Sequence, residues 1–274
     1  MSTTETKGTA LVTGASGGIG GVYADRLAKR GYDLILVARN EDRLTALARG
    51  LENETGRSVG RIVADLSDKA DLARIETTLR TNAKIALLVN NAGVGATASL
   101  LDSDVEKMDQ MIRLNVGALT RLTYAAAPGF VARGGGTIIN IASSVAISPE
   151  TLNGVYGGTK AFVLAFSLSL DHELAGMGVR VHAVLPGATA TAFWGTAGLP
   201  VSTAHGNRDV GGRLGRCRPR RSRPGRDRHH SIASGQGRVG SVRCSAPRDV
   251  RQALGHRSRP PIQHPASPIR RRVT

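Results

Sequence analysis

The sequence has few cysteines, few aromatic residues and no long apolar segment. Its two cysteines, Cys217 and Cys244, have no metal-ligand spacing around them, so we expect neither a disulfide framework in the first two hundred residues nor a metal site. No apolar run approaches the roughly 20 residues that span a bilayer, and the polar start lacks the apolar stretch of a secretory signal. We therefore expect a cytoplasmic protein without a membrane segment.

Positive charge is concentrated at the end of the chain. The formal net charge is +16, and residues 205–274 contain 18 Arg, no Lys and only three Asp. The same segment has seven of the 11 prolines, little Leu or Ile and no Phe. It is predicted to be irregular or disordered because it cannot bury enough apolar surface to fold. An arm that binds nucleic acid is the other interpretation, which the lack of Lys and aromatic residues disfavours.

The first 204 residues alternate short apolar runs with longer segments of helical period, which is typical of βαβ units. Six strands are predicted, at residues 9–13, 33–38, 58–64, 85–90, 137–142 and 180–185. Five helices are predicted between them, at residues 18–30, 41–55, 69–80, 102–127 and 155–176. The predicted fold class is therefore α/β, a Rossmann-like doubly wound parallel sheet with helices on both faces. Ligand groups are expected at the carboxyl ends of its strands.

A glycine-rich turn joins the first predicted strand to the first predicted helix. It has the sequence Thr-Gly-Ala-Ser-Gly-Gly-Ile-Gly over residues 13–20. Glycine lets the backbone approach a pyrophosphate, and the helix N-terminus favours its negative charge. The strand before it and the helix after it make this a dinucleotide-binding turn rather than a turn without a ligand. The candidate cofactor-binding residues of this turn are Gly14, Ser16, Gly18, Ile19 and Gly20.

Tyr156 and Lys160 stand four residues apart in a predicted helix, so their side chains share one face. A phenol with a pKa of about 10 is a weak acid-base group at neutral pH, and a neighbouring ammonium is expected to lower that pKa. Reduction of a carbonyl by hydride transfer requires such a proton donor. Ser143 ends the fifth strand, where its hydroxyl is placed to bind a substrate oxygen, and the adjacent Ser144 is the chemical alternative. An amphipathic pair without catalytic meaning is the simpler interpretation of Tyr156 and Lys160 taken alone.

These motifs, in this order, resemble the short-chain dehydrogenase/reductase family over about residues 5–200. The resemblance implies an NAD(P)-dependent oxidoreductase that interconverts a secondary alcohol and a ketone or aldehyde. Tyr156 would be the acid-base group, Lys160 would tune it and hold the nicotinamide ribose, and Ser143 would orient the substrate. Asn115 would support a water relay to the lysine, although a buried amide at a helix kink is a structural alternative.

The resemblance also implies further cofactor contacts. Asp65 and Leu66 would contact adenine, with a helix-capping Asp as the alternative. The residues that would flank the nicotinamide half are Asn91, Gly93, Pro186, Gly187 and Thr191. Arg39 stands where an acidic residue would hold the ribose hydroxyls of NAD, and an arginine can pair with a 2′-phosphate. NADP(H) is therefore the preferred cofactor and NAD(H) the alternative, unless Arg39 is only a solvated residue at a helix start.

Two positions depart from the family pattern beside the catalytic pair. Gly157 and Gly158 replace the more usual Ala-Ser, and two glycines cost a helix about 1–2 kcal/mol. Farther on, Phe193 and Trp194 begin the segment that usually closes over the substrate.

The family's last helix and strand are not visible in residues 205–274. A shift of one nucleotide, with permitted codons, can turn His205 to Ser234 into an amphipathic helix and a strand. We hypothesise a frameshift near Thr203 or Ala204. A homo-oligomer is expected of an intact family member, and the altered end argues against one here. The alternative functions are a catalytically impaired cofactor-binding protein of the same fold and a basic-tailed protein associated with nucleic acid.

Overall fold

The computed structural model describes residues 6–187 and a short strand at 239–240. Six strands of its sheet are parallel, namely β1 Thr9–Thr13, β2 Asp33–Ala38, β3 Val59–Val63, β4 Ile85–Asn90, β5 Gly136–Ile141 and β6 Val179–Pro186. With a short seventh strand, β7 Val239–Gly240, they stand in the order β3-β2-β1-β4-β5-β6-β7. The strand order reverses between β1 and β4, which opens a crevice at their carboxyl ends. The predicted Rossmann-like doubly wound sheet is confirmed.

Helices connect the parallel strands. They are α1 Gly18–Lys29, α2 Glu41–Thr55, α3 Lys69–Thr81, α4 Val105–Ile112, α5 Leu119–Ala132 and α6 Gly154–Leu174. The single helix predicted over 102–127 is wrong, because a π-helical segment, Arg113–Ala118, separates α4 from α5. A wider turn of this kind follows from side-chain contacts with the rest of the fold, which the helical period does not reveal. Within the described residues, no helix is both long and apolar enough to cross a membrane.

The core lies on both faces of the sheet. Alternate residues of β1 point to opposite sides, so Ala10 and Val12 pack with α1 and α2, whereas Leu11 packs with α3 and α5. Leu44 and Phe130 are among the fully buried side chains on these two faces. The central strands β1 and β4, which are covered on both sides, have the nearly continuous apolar sequences from which they were predicted.

A seventh strand, β7 Val239–Gly240, pairs antiparallel with Leu185 and Pro186. The segment that contains it was predicted to be irregular, and this short pairing differs from that prediction. The physical reason is that, among the described residues, β6 has a parallel neighbour on one side only, and such an edge accepts a strand that can pair with its backbone. The rest of residues 205–274, and the predicted domain boundary at 204, lie outside the described residues.

The two glycines in the first turns of α6 have different surroundings. A Cβ on Gly157 would lie 2.8 Å from the carbonyl oxygen and 2.9 Å from the Cβ of Pro149. Pro149 begins a short 3₁₀ turn, Pro149–Thr151, that packs against α6. A Cβ on Gly158 would meet nothing within 4 Å. Close packing therefore requires glycine at 157, whereas nothing in the described structure requires it at 158.

We expect Gly158→Ala to raise the free energy of unfolding by up to about 1 kcal/mol, because alanine loses less backbone entropy in a helix. Gly157→Ala should lower it by about 1–3 kcal/mol, because the Pro149 backbone must move. Urea denaturation of the two variants measures both values, and each is the control for the other. Equal effects at the two positions would contradict the packing argument.

Candidate active site

The turn between β1 and α1 is shaped for close backbone approach. Gly14 and Gly18 have φ angles of +63° and +56°, in the region that favours glycine. A Cβ on Gly20 would lie 2.4 Å from the Gly14 carbonyl oxygen. Gly17, the residue before α1, provides no side-chain cap, so the first N–H groups of this helix are left for a ligand. This cradle fits the pyrophosphate of a dinucleotide.

Thr13 and Asn91 connect the carboxyl ends of β1 and β4, the two strands between which the strand order reverses. The Thr13 hydroxyl donates to the Val89 carbonyl at 3.1 Å and accepts from the N–H groups of Asn91 and Ala92 at 2.9 and 3.0 Å. The Asn91 amide donates to the carbonyls of Thr13 and Gly14 at 2.9 and 3.1 Å. The predicted residue Asn91, which directly follows β4, thus fixes the start of the glycine-rich turn. Thr13 was missed as a site residue, although it begins the glycine motif.

Arg39 directly follows β2, at the carboxyl end of that strand. Its side chain is 68% exposed, and its guanidinium lies 3.7 Å from a carboxylate oxygen of Asp65, which follows β3. Ser16, on the turn before α1, and Ile19, in the first turn of α1, are both half-buried. Arg39 is therefore free to turn toward an anion at this end of the sheet, because the ion pair is long and solvated.

Asp65 is not the cap of α3. Its carboxylate accepts from the Ser67 N–H at 2.9 Å, which makes a local turn. Asp68 is the capping residue and accepts from the N–H groups of Ala70 and Asp71. The helix-cap alternative for Asp65 is therefore wrong. The neighbouring Leu66, the other predicted adenine contact, is 95% buried in the core.

Asn115 lies in the π-helical segment and is buried. Its amide oxygen accepts from the Val94 N–H at 2.9 Å, and its amide nitrogen donates to the Val94 carbonyl at 2.9 Å and to the Thr159 hydroxyl at 3.1 Å. The Thr159 hydroxyl donates in turn to the Tyr156 carbonyl at 2.8 Å. Asn115 thus connects the segment after β4 with α6. These contacts are those of a buried amide at a distorted helix, which was the structural alternative for Asn115.

Ser143, Tyr156 and Lys160 come together where β5 ends. The Tyr156 phenol is hydrogen-bonded to the Ser143 hydroxyl, and both residues are buried. Ser144, the alternative to Ser143, is exposed on a short 3₁₀ turn. Burial raises the pKa of the Tyr156 phenol above its usual value, and the hydrogen bond with Ser143 acts in the lowering direction. The net shift is therefore opposite in direction to the lowering that the sequence suggested.

Lys160 is buried beside the tyrosine. Its ammonium donates to the Ile141 carbonyl at 3.0 Å and lies 5.9 Å from the centre of the Tyr156 ring. Burial lowers the pKa of Lys160 to about 8. A Cβ on Gly93 would lie 3.6 Å from the ammonium and 3.0 Å from the Asn115 amide oxygen. Glycine at 93 therefore leaves room for these polar groups.

A buried amide pair below the site was missed by sequence reasoning. Asn90 and Asn140 are paired in the β4–β5 register, and the Asn90 amide donates to Asn140 at 2.9 Å and to the Thr123 hydroxyl at 3.0 Å. The Asn140 amide donates to the Ser167 hydroxyl at 3.0 Å. The available signal was an asparagine within an apolar strand, because buried polar side chains are mostly hydrogen-bonded. Here both amide nitrogens donate, whereas the amide oxygen of Asn90 has no hydrogen-bond partner among the described residues.

The remaining predicted residues are only partly covered by the structure. Pro186 ends β6 and is buried, and Gly187 follows it. Thr191 lies outside the described residues, as do Phe193 and Trp194. Among residues that the structure describes, no group of three or more His, Cys, Asp or Glu side chains could hold a metal ion.

The fold and the site define a nucleotide-binding oxidoreductase, and comparison with known proteins gives the family. A family model described as short chain dehydrogenase matches residues 8–199. The chain belongs to the short-chain dehydrogenase/reductase family. An uncharacterised oxidoreductase of Staphylococcus epidermidis is 36% identical over 182 residues, which cover 66% of this chain and 78% of that protein.

Solved structures of the family superpose on the chain. A short-chain dehydrogenase from Sphingobium yanoikuyae in complex with NADPH is 49% identical, with a TM-score of 0.70, covering 72% of this chain and 77% of that one. A bulky-bulky ketone specific alcohol dehydrogenase from Comamonas testosteroni is 45% identical, with a TM-score of 0.66, covering 68% of this chain and 74% of that one.

Lys160 should destabilise the folded protein at neutral pH, because folding removes its ammonium from water. Between pH 8 and 10.5 the unfolded chain keeps a proton that the folded chain has lost, so this cost decreases as the pH rises through that window. We expect Lys160→Met to raise the free energy of unfolding by about 2 kcal/mol at pH 7, after allowance for the lost hydrogen bond to Ile141. Above pH 10.5 the gain should be lost.

Urea denaturation at several pH values measures this difference. Lys107→Met, at an exposed position on α4, controls for removal of a surface charge. A gain for Lys160→Met that does not change between pH 7 and pH 11 would show that the pKa of Lys160 is not lowered.

Proposed function

We propose that this chain binds NADP(H) and interconverts a secondary alcohol and a ketone or aldehyde, with Tyr156 as the acid-base group. The observation that carries this proposal is the hydrogen bond between Tyr156 and Ser143, together with the Lys160 ammonium, which lies 5.9 Å from the centre of the Tyr156 ring and is bound to the end of β5. Two hydroxyls that face one small volume suit the binding of one substrate oxygen. Sequence spacing and three-dimensional position therefore support the same three residues.

In the reductive direction, Ser143 and Tyr156 bind the carbonyl oxygen, and Tyr156 donates its proton as negative charge develops there. The hydride for this reaction comes from the reduced nicotinamide when NADPH is bound. Burial keeps the phenol protonated at neutral pH, which suits a proton donor. Lys160, when protonated, stabilises the phenolate that remains and offers donors to the hydroxyls of the nicotinamide ribose. Asn115 keeps α6 in place against the segment after β4.

The cofactor would lie across the crevice between β1 and β4. The glycine turn would hold its pyrophosphate, Asp65 would approach the adenine, and Gly93 and Pro186 would border the nicotinamide half. Arg39 supports NADP(H) over NAD(H), because an exposed guanidinium at the end of β2 is able to pair with a 2′-phosphate. The Sphingobium yanoikuyae relative, whose structure contains NADPH, adds support.

The substrates named for two related proteins suggest which substrates to test first. The Comamonas testosteroni protein is described as specific for bulky-bulky ketones. An L-sorbose reductase from Gluconobacter frateurii, 35% identical with a TM-score of 0.64 over 69% of this chain and 72% of that one, was solved with NADPH and L-sorbose. We therefore propose a first substrate panel of diaryl ketones and ketoses.

A catalytically impaired cofactor-binding protein is the second candidate function. It is favoured by the end of the family match at residue 199, close to the proposed frameshift near Thr203 or Ala204. In this case the chain would bind NADPH without turnover. Measurement of NADPH binding by fluorescence, together with NADPH oxidation over the panel, distinguishes the two functions.

We expect Tyr156→Phe to lower kcat by about 100- to 10,000-fold, because the substrate oxygen loses its proton donor. Affinity for NADPH should change little. Steady-state NADPH oxidation and fluorescence titration measure the two quantities. Tyr124→Phe is the matched control, because Tyr124 is 67% exposed on α5. Turnover that survives Tyr156→Phe at the level of this control would refute the mechanism.

We expect Arg39→Ser to raise KM for NADPH by about 10- to 100-fold, the effect of a lost charge-assisted hydrogen bond to the 2′-phosphate. KM for NADH should stay near its original value. Arg43→Ser, at an exposed position in the first turn of α2, controls for the loss of positive charge nearby. An equal rise in KM for both cofactors would mean that Arg39 does not bind the 2′-phosphate.

A further inference from the structure

Helix α6 begins immediately after a buried polar residue, Asn153. Its amide oxygen accepts from the N–H groups of Val155 and Tyr156 at 2.9 and 3.2 Å. Its amide nitrogen donates to the Ala98 carbonyl at 2.7 Å and to the Ser103 hydroxyl at 3.0 Å. One side chain therefore caps the helix that carries Tyr156 and also binds a second, distant segment of the chain.

All four hydrogen bonds that an asparagine side chain can ordinarily make are formed here. Aspartate would cap the helix as well as asparagine does, but it has no N–H to donate to Ala98 or Ser103. Serine would cap the helix with a single hydroxyl, which cannot accept twice from α6 and donate twice to the other segment. This combination of bonds therefore requires the carboxamide of Asn153.

The second segment, residues 98–103, is held by its own polar contacts. The Ser103 hydroxyl donates to the Ser99 carbonyl, and the Ser99 hydroxyl donates to the Asp102 carboxylate, both at 2.5 Å. Leu100 and Leu101, between them, are 83% and 94% exposed. The hydrogen bonds of this turn, rather than burial of its apolar residues, therefore fix its backbone where Asn153 meets it.

Both backbone polar groups of Tyr156 are connected, each through one side chain of α6 or its cap, to the chain segment between β4 and α5. Its N–H is bound by Asn153, which contacts residues 98 and 103. Its carbonyl accepts from Thr159, which is bound by Asn115, and Asn115 is bound to Val94. The backbone of Tyr156 is thus connected on its two sides to residues 94–103, while its phenol is bound to Ser143.

We propose that Asn153 is a positioning residue for proton transfer, which fixes Tyr156 against Ser143 by tying the first turn of α6 to residues 98–103. The proposal rests on the proposed function of Tyr156. A helix cap alone stabilises α6, but a cap that is also anchored outside the helix fixes where its first turn lies. Because proton transfer is sensitive to displacements of about 1 Å, loss of the anchor lowers kcat even when the helix remains capped.

The experiment separates the anchor from the cap. Asn153→Asp keeps the acceptor for α6 and removes the donor to residues 98–103. Ser103→Ala removes an acceptor from the other side of the same contact without adding a charge. Asp68→Ala is the matched control, because Asp68 also accepts from two N–H groups, at the start of α3. Measurements are kcat and KM for NADPH with the most active ketone of the panel, the pH profile of kcat, and hydrogen–deuterium exchange by mass spectrometry.

We expect Asn153→Asp and Ser103→Ala each to lower kcat by about 10- to 100-fold with little change in KM for NADPH. Amide exchange should become faster in residues 98–103 and 154–157 together, and not in α3. Asp68→Ala should accelerate exchange in α3 alone and leave kcat near the original value. The pH profile separates displacement from charge, because only Asn153→Asp is expected to shift it.

The proposal is overturned if Asn153→Asp and Ser103→Ala keep the original kcat, or if exchange changes at 98–103 without a change at 154–157. It is also overturned if Asp68→Ala lowers kcat as much as they do, since general loss of stability then explains the effect. Hydrogen exchange does not require turnover. A chain without NADPH oxidation would therefore refute the proposed function, while the structural coupling through Asn153 would still be tested.

Discussion

Burial of the Lys160 ammonium is the constraint on which the rest of the site depends. A cation taken out of water needs hydrogen-bond acceptors or opposite charges, and here the Ile141 carbonyl at the end of β5 accepts its hydrogen bond. The glycine at 93 leaves space beside it, and burial lowers its pKa to about 8. A group that costs stability in the folded protein is thus placed where a ribose hydroxyl and a phenolate would bind it, which is the usual opposition between stability and activity.

Rigidity at the tyrosine comes from side chains rather than from helix propensity. Two glycines follow Tyr156 in α6, so the first turns of this helix are intrinsically weak. Asn153 and Thr159 compensate by binding the backbone N–H and carbonyl of Tyr156. Their partners lie in the segment after β4, next to the crevice. The geometry of the proposed catalytic pair, Tyr156 and Lys160, is therefore coupled to the segment that borders the proposed cofactor site.

Most elements of the fold follow from the sequence because a parallel sheet covered on both faces needs apolar strands and amphipathic helices in strict alternation. Strands β1, β2 and β4 begin and end where the apolar runs do. The helix predicted over 102–127 failed for a physical reason: the Asn115 side chain binds the Val94 backbone, 21 residues away, and the helix takes a wider turn there. Helical period contains no information about such a partner. Residue type likewise could not decide between Asp65 and Asp68 as the cap of α3, because both carboxylates can accept from backbone N–H groups; in the structure Asp68 is the cap and Asp65 accepts from Ser67.

The sequence by itself determined the fold class, the glycine turn and the identity of the catalytic candidates Ser143, Tyr156 and Lys160, because residue type and spacing along one chain specify chemistry and periodicity. Only the tertiary structure decided how their charges behave. Burial, which depends on neighbours from distant strands, raises the pKa of Tyr156 where the sequence suggested a decrease due to Lys160. Only the tertiary structure, likewise, revealed the contacts of Asn153, since Ala98 and Ser103 lie some fifty residues before it in the chain. Contacts between residues so far apart in sequence arise from folding and leave no local pattern.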